Sequence, residues 1–284
     1  MTYVYCPRRS NGAFELVKAL GADRLRKFDG IDFWDRQKRY ALKEGDVVIC
    51  WGATIPELDG IRVLNSVEQP FTGIAEWQKL MNFGVPVLTI GRGKSAPGLL
   101  VPRNQRVIQV VDPTFYIQRE PFVNEYRIHS FAGRSIRAGV KVSREGFTTC
   151  LESEWRPDAK LVHPWIRSHE GGWCVNYDGF KSTPELRRLA HKAVAGLGLT
   201  FGAVDIGQRA DKVLKVLEVD RAPRIEGGTI NSYVRAINRW IKESDVVNAG
   251  KGVDDDAGGI PIGTPVQAIE DADGDDPDTD PGDL

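Results

Sequence analysis

GLTFGAVDIGQRADKVLKVLEVDRAP, residues 198–223, is the stretch on which the fold turns. Two apolar runs, 201–206 and 213–219, flank a polar segment and read as the strands of a β-hairpin. A two-residue loop at Asp211 and Lys212 pairs Ala210 with Val213 and, counting outward, sets Asp205 directly opposite Glu218. Opposed residues share a face of the sheet with Cβ atoms about 5 Å apart, and the two-residue period brings Asp220 to the same face. Carboxylates this close repel one another unless a cation lies among them, and clustered carboxylate oxygens suit Mg²⁺ or Mn²⁺. Acids on a strand more often mark an exposed polar face. Here they interrupt Val204, Ile206, Leu217 and Val219, apolar enough for burial, where unpaired charge is costly. The pattern points to a metal site made by Asp205, Glu218 and Asp220.

Outward from this hairpin, 284 residues suffice for a sizeable core and two or three small domains. A hydrophobic content of 41% with 27% charged residues is that of a soluble globular protein. No apolar run approaches the roughly 20 residues of a membrane span, and MTYVYCPRRS lacks the pattern of a signal peptide, so the expected location is the cytoplasm. Cys6, Cys50, Cys150 and Cys174 are scattered without a CxxC pair, which predicts free thiols in a reducing compartment. From Lys251 onward the chain holds eleven acidic residues, one Lys and no aromatic residue. Such a segment cannot bury enough apolar surface to offset its chain entropy, and a disordered acidic tail over 248–284 is expected. The net charge of −1 therefore conceals a body near +9, compatible with nucleic acid, an anionic substrate or nucleotide phosphates.

The N-terminal part alternates strands (3–6, 47–51, 62–65) with helices (14–20 and 72–83, the latter ended by Gly84), and predicts a small α/β domain over 1–85 with a mostly parallel sheet. Strands at 85–90, 107–111, 115–118, 125–131 and 135–142 follow, the last two joined by Ala132, Gly133 and Arg134 in a short turn. Between the first two lies GRGKSAPG, residues 91–98, a glycine-containing loop with two cations, Arg92 and Lys94. A third region opens with a helix at 184–196, announced by Thr183 as N-cap, Pro184 in the first turn and Glu185 behind it. After the acidic hairpin a last helix spans 229–243 with Ile230, Val234, Ile237 and Ile241 on one stripe. A cationic loop facing a carboxylate cluster suits a nucleoside triphosphate, and without GxxxxGK[ST] the binding is not of the P-loop kind. GxSxG is absent, which speaks against a Ser-His-Asp hydrolase of the nucleophile-elbow type.

Several segments in order carry a likeness. SNGAFELVKALGA and VVICWGATIPELDGIRVLN resemble a pre-ATP-grasp domain; FTGIAEWQKLMNFGVPVLTIGRGKSAPG resembles the entry to a nucleotide-binding lobe; FYIQREPFVNEYRIHSFAGRSIRAGVKV is similar to its hinge and EYRxH strand. LAHKAVAGLGLTFGAVDIG and VLEVDRAPRIEGGTINSYVRAI are similar to the pattern GLxFGAVD…LEVNxAPGxEGTT of the C-terminal lobe. Over residues 10–245 the chain thus resembles the ATP-grasp superfamily of carboxylate–amine ligases, and within it the ATP-grasp proteins encoded by tailed bacteriophages. The resemblance implies an α/β and α+β chain with the ATP-grasp fold: pre-ATP-grasp domain 1–85, nucleotide-binding lobe 86–145, C-terminal lobe with the metal site 146–247, and the tail. It implies ATP and Mg²⁺ (or Mn²⁺) as cofactors. A carboxylate donor and an amine acceptor (an amino acid, peptide or protein) would be the partners, with a protein partner for the tail and nucleic acid as a further acceptor.

Residue by residue, the likeness implies that Asp205, Glu218 and Asp220 hold metal bridging the ATP phosphates. It implies a hinge of Gln118, Arg119, Glu120, Pro121, Phe122 and Val123 at the adenine, with Glu125 at the ribose hydroxyls. Arg127 and Lys141 would reach toward phosphates or an acyl-phosphate, and Arg92 and Lys94 would cover the β- and γ-phosphates. Arg221 and Arg224, just past the metal ligands, are candidates for gripping a substrate carboxylate through forked hydrogen bonds. Arg167, in IRSHEGGW, is placed near the substrate. The chain departs from the pattern at Asp220, where Asn is usual, at Arg224, where Gly is usual, and at Ser168, where Asn is usual. The phosphate-covering loop is short and contains Pro97. Taken alone, Arg127 and Lys141 fit a solvated strand face, and His129, His163, His169 and His191 lack metal-ligand spacing and read as structural.

Overall fold

The computed structural model of the protein describes residues 1–7, 10–25, 27–29, 32–35, 38–66, 74–88, 90–92, 100–102, 115–118, 120–143, 167 and 172–250. Met1–Ile241 forms one unit; the second, Lys242–Leu284, contains among the described residues only the last turns of the final helix. The expected strand at 107–111, Lys94, Arg119, and the tail beyond residue 250 lie outside the described residues.

Strands β1 (Thr2–Tyr5), β2 (Asp23–Leu25), β6 (Val47–Cys50) and β7 (Arg62–Leu64) form an all-parallel sheet in the order β2-β1-β6-β7. Helix α1 (Asn11–Leu20) covers it and begins three residues before the apolar pattern suggests, because the Ser10 hydroxyl accepts the Ala13 N–H as N-cap. The strand order reverses direction at β1, which puts the carboxyl ends of β1 and β6 at a switch point, where open α/β sheets keep their ligand crevices. Between β2 and β6 a meander not foreseen from sequence, β3 (Lys27–Asp29), β4 (Asp32–Asp35) and β5 (Lys38–Tyr40), makes a small antiparallel sheet. Helix α2 (Ile74–Asn82) follows, then β8 (Ile90–Arg92), β9 (Leu100–Pro102) and β10 (Phe115–Gln118), a second antiparallel sheet in the order β8-β10-β9.

The largest sheet runs β13-β12-β11-β14-β15, built from β11 (Phe122–Phe131), β12 (Arg134–Ser143), β13 (Trp173–Asn176), β14 (Phe201–Arg209) and β15 (Leu214–Asp220), all antiparallel. It draws strands from both the 86–145 and the 146–247 segments. Ala132 and Gly133 close the β11–β12 hairpin with φ of 46° and 75°, the paired left-handed geometry that matches strand twist. Helix α3 (Pro184–Gly196) starts where the sequence signals it, with the Thr183 hydroxyl accepting the Leu186 N–H. It packs Leu186, Ala190, Ala193 and Val194 on one face of this sheet, against Tyr126, Ile128, Val204, Ile206, Val216 and Val219. The opposite face is thereby left for charge.

A second cluster joins the parallel sheet to the large one. Val4, Leu16, Ile49, Trp51 and Leu64 pack with Phe131, Phe201, Ile225 and with Tyr233 and Ile237 of helix α4 (Gly228–Gly250). Asn65, at φ 65° just after β7, ties the sheets by accepting the N–H groups of Thr200 and Phe201 at 2.9 and 3.0 Å. On the outer side of β15, the Val216 N–H donates to the Pro86 carbonyl at 2.8 Å. Cys6 and Cys50 are buried free thiols, the latter pushed up to about 12 by burial, whereas Cys174 is disulfide-bonded, contrary to the expectation of free thiols throughout. Among the described residues no helix is long and apolar enough to cross a membrane.

Candidate active site

Asp205 does stand opposite Glu218, but by a different route from the one the sequence suggests. The loop has three residues, not two: Arg209 N–H donates to the Val213 carbonyl, and Lys212 sits in the left-handed region at φ 68°. Gln208 consequently faces Leu214, one residue out of the expected register. A bulge at Leu217 takes up the extra residue and restores the Asp205–Glu218 pair. Asp220, two residues on, shares the face.

The next strand inward supplies cations. Arg127 of β11 is the cross-strand partner of Asp205, and the same face carries Glu125, opposite Gly207, and Lys141 of β12. Arg127 Nη2 donates to Asp220 Oδ2 at 2.8 Å while Nη1 lies 3.4 Å from Asp205 Oδ1. Lys141 Nζ donates to Asp205 Oδ2 at 2.8 Å and to Glu125 Oε2 at 3.3 Å. The cation that clustered carboxylates demand is thus supplied in the structure by these two side chains. Among the described residues no three His, Cys, Asp or Glu side chains converge as a ready metal cage. Asp205, Glu218 and Asp220 share a face and offer hard oxygen donors, but Asp205 and Asp220 are here engaged by Arg127 and Lys141.

Burial sets the electrostatics. Asp205 is only 7% exposed, and burial would raise its carboxyl, but Lys141 and Arg127 outweigh that and hold it below the usual carboxylate range. For Lys141 and Arg127 burial disfavours the charge, yet Asp205, with Glu125 or Asp220, holds both above their ordinary values. Glu125 goes the other way: burial raises it despite Lys141 and Arg167. His129, one step along β11, is fully buried with Nε2 2.9 Å from the Tyr177 hydroxyl and Nδ1 3.2 Å from that of Tyr233. Burial, reinforced by Arg127, drives it well below the usual imidazole range, so it is neutral and structural.

Close approaches shape the groove. A Cβ on Gly139 would stand 2.6 Å from Val175 and one on Gly207 would stand 2.6 Å from the Phe122 ring, so both glycines admit neighbours that walls of side chains would exclude.

Solved structures share this arrangement of strands and helices. The ATP-grasp ligase PsnB complexed with a minimal precursor, Mg and ADP superposes with a TM-score of 0.55 at 13% identity, over 85% of this chain and 98% of that one. D-alanyl-alanine synthetase A from Vibrio cholerae O1 gives 0.53 at 11% identity over 84% and 98%. D-alanine–D-alanine ligase from Bacillus anthracis complexed with ATP gives 0.51 at 12% identity over 88% and 99%. The chain has the ATP-grasp fold. No protein-family model and no curated protein matches the sequence.

In this ATP-grasp fold the predicted hinge connects β10 to β11. Gln118 ends β10 opposite Leu100, and Arg92 ends β8 opposite Phe115. Glu120 is held by Lys215 Nζ and lies 3.7 Å from Arg209 Nη1; Pro121 carries the chain into Phe122 and Val123. Arg167, expected near the substrate, packs against the start of β11. Its Nη2 donates to the Phe122 carbonyl at 2.6 Å, its Nε is 3.7 Å from Glu125, and its guanidinium stacks 4.7 Å from the Trp173 ring.

Arg221 and Arg224 do border the acidic face, in a cleft of about 690 Å³ shared with Asp220. Arg224 is already gripped by Glu226 at 2.6 Å. Lys215 is the charged neighbour that sequence reasoning missed. Strict two-residue counting assigns it to the core face with Leu217 and Val219, and only the bulge turns it to the side of Asp205.

Proposed function

We propose that the protein is an ATP- and Mg²⁺-dependent ligase joining a carboxylate to an amine through an acyl-phosphate. The observation that carries this reading is the face shared by Asp205, Glu218 and Asp220, with Arg127 and Lys141 beside them, on an ATP-grasp sheet. A carboxylate acylates poorly because its leaving group would be oxide. Transfer of the γ-phosphoryl group from ATP to a carboxylate oxygen makes phosphate the leaving group; the amine then adds to the carbonyl carbon, loses a proton and expels phosphate. Such transfer needs positioning and charge neutralisation more than covalent help.

Asp205, Glu218 and Asp220 would hold Mg²⁺ or Mn²⁺, which supplies neutralisation of phosphoryl-oxygen charge when bound. Arg127 and Lys141, both held cationic, offset charge from the protein side. Glu125 serves the ribose, the hinge from Gln118 to Val123 the adenine, and Arg92 and Lys94 the terminal phosphates. Arg221 and Arg224 hold a substrate carboxylate. An amino acid, peptide or protein supplies the amine, and the protein works in the cytoplasm, of a bacterial host if the gene is a phage's.

Glu218→Ala is expected to abolish ADP release with MgATP while far-UV circular dichroism and Tm stay near wild type, since Glu218 is exposed. Unchanged turnover would remove the acidic face from the mechanism. A second reading, a nucleotide-binding protein without ligase chemistry, is favoured by the ion pairs that already neutralise Asp205 and Asp220. Micromolar ATP binding without ADP release on any pooled carboxylate and amine would decide for it. A nucleic-acid acceptor would show itself as binding that weakens steeply with salt.

A further inference from the structure

Four strands of the large sheet align the residues of the charged face in rows. Gly139, Arg127, Asp205 and Glu218 make one row; Arg137, His129, Ala203 and Asp220 make the next, about 7 Å along the strands. Glu125, placed at the ribose in the ligase reading, and Lys141 lie on the other side of the first row. Seen from the nucleotide, Arg137 therefore stands one row beyond the Asp205–Glu218 pair. The cations of this face are not alike. Lys141 is held by Asp205 and Glu125, Arg127 by Asp205 and Asp220, and Lys215 by Glu120. Arg137 alone among them makes no side-chain hydrogen bond or ion pair with the described residues. Its guanidinium lies 5.1 Å from the centre of the Tyr177 ring and so close to Gly228 that a Cβ there would stand 3.0 Å from Nη1. The side chain is half-buried, and of its three nitrogens only Nε is shut off from solvent, so the fork of Nη1 and Nη2 stays open. The row-mate beside it, His129, is neutral between Tyr177 and Tyr233. A cation partly withdrawn from water normally has an acid next to it.

Resting on the ligase reading, we infer that Arg137 binds the terminal phosphoryl group as it passes from ATP to the carboxylate. In that step the bond from phosphorus to the ADP oxygen breaks as one to the carboxylate oxygen forms, and no proton is transferred. The group spreads its charge over three outer oxygens, and neutralising it calls for a cation that no acid already holds. Arg127 and Lys141 each divide their charge between two carboxylates. Arg137 brings its whole charge and a fork of donors that matches two phosphoryl oxygens at once. A charge without a counter-ion also favours a phosphoryl dianion over a carboxylate monoanion.

The test titrates inorganic phosphate into the full chain saturated with MgADP, by calorimetry and thermal shift, in wild type, Arg137→Gln, Arg137→Lys and Gly228→Ala. Arg137→Gln is expected to weaken phosphate at least tenfold while MgADP affinity stays within about twofold of wild type. Arg137→Lys should keep part of the affinity. Gly228→Ala should lose most of it with the charge intact, because the added methyl displaces the guanidinium. Circular dichroism of each variant confirms folding, and the Lys and Gly228 variants decide the matter should the Gln variant not fold. Equal phosphate affinity in wild type and a folded Arg137→Gln, or no phosphate binding by wild type, overturns the inference. So does an Arg137→Gln loss seen with acetate and succinate but not with phosphate, which would make the ligand a carboxylate. Failure of wild type to bind MgADP strikes the ligase reading instead, and phosphate titrated without nucleotide then still decides for or against Arg137.

Discussion

Arg127 reaches past strand β14 to join carboxylates of two strands, lying 3.4 Å from Asp205 and 2.8 Å from Asp220. Replacing it with Met keeps the apolar stem and removes the shared cation, leaving buried Asp205 with Lys141 alone and the partly exposed Asp220 without Arg127. Breaking a buried pair from one side costs about 3–5 kcal/mol, and the exposure of Asp220 places the expected loss at the lower end. A divalent ion should recover part of it. Urea titrations of Arg127→Met with and without millimolar MgCl₂ are expected to show a larger Mg²⁺ stabilisation than wild type; an equal response would mean that the acids and the ion do not meet.

Lys212 occupies a left-handed conformation at φ 68° in the hairpin loop. Any side chain there strains the backbone, so Lys212→Gly is expected to stabilise the protein by about 1 kcal/mol. Chemical denaturation checks it, and a loss of stability would show that the Lys212 side chain holds the loop by contacts that outweigh its strain.

Gly52 combines φ 67° with a virtual Cβ 2.7 Å from the Ala222 Cβ. Gly52→Ala adds backbone strain to a steric conflict that presses β6 away from the segment after Asp220, for an expected cost of about 2–4 kcal/mol. Gly12→Ala, 3.0 Å from the Pro223 carbonyl but with no positive φ, should cost less. The order of the two melting temperatures is the measurement.

Acid should weaken the fold through His129. Unfolded, its imidazole takes a proton below its ordinary value of 6.5; folded, burial and Arg127 keep it neutral far below that. The unfolded state therefore gains protons first, and stability falls as pH drops through 6.5, by up to about 1.4 kcal/mol per pH unit. Asp205, whose carboxyl is held low, joins the loss only once pH nears the carboxylate range, and Glu125, raised by burial, partly opposes it there. In His129→Gln the loss between pH 7.5 and 5.5 should shrink; an unchanged slope would place the titration elsewhere.

What the sequence makes legible is where local rules act alone. Thr183 and Pro184 announce α3 to the residue, and the alternation of apolar segments yields the parallel sheet and the β11–β12 hairpin. The acidic pairing is legible for a partly accidental reason, since a longer loop and the Leu217 bulge are opposite one-residue errors that cancel at Asp205. Between loop and bulge they do not cancel, and that is why Lys215 escapes notice. The placement of Arg167 on the Phe122 carbonyl, and the meander at β3–β5, depend on contacts between distant segments that no local period encodes.

The Pro86 carbonyl on Val216 has a bearing on how the protein behaves in a crowded solution. β15 is the outermost strand of the sheet and would offer its open side to another chain. There the Pro86 carbonyl already occupies the Val216 N–H, and the bulge at Leu217 bends the rest away from a straight template. The strand that carries Glu218 and Asp220 is thereby kept from recruiting a neighbour, and the molecule carries an acidic edge that is not also a sticky one.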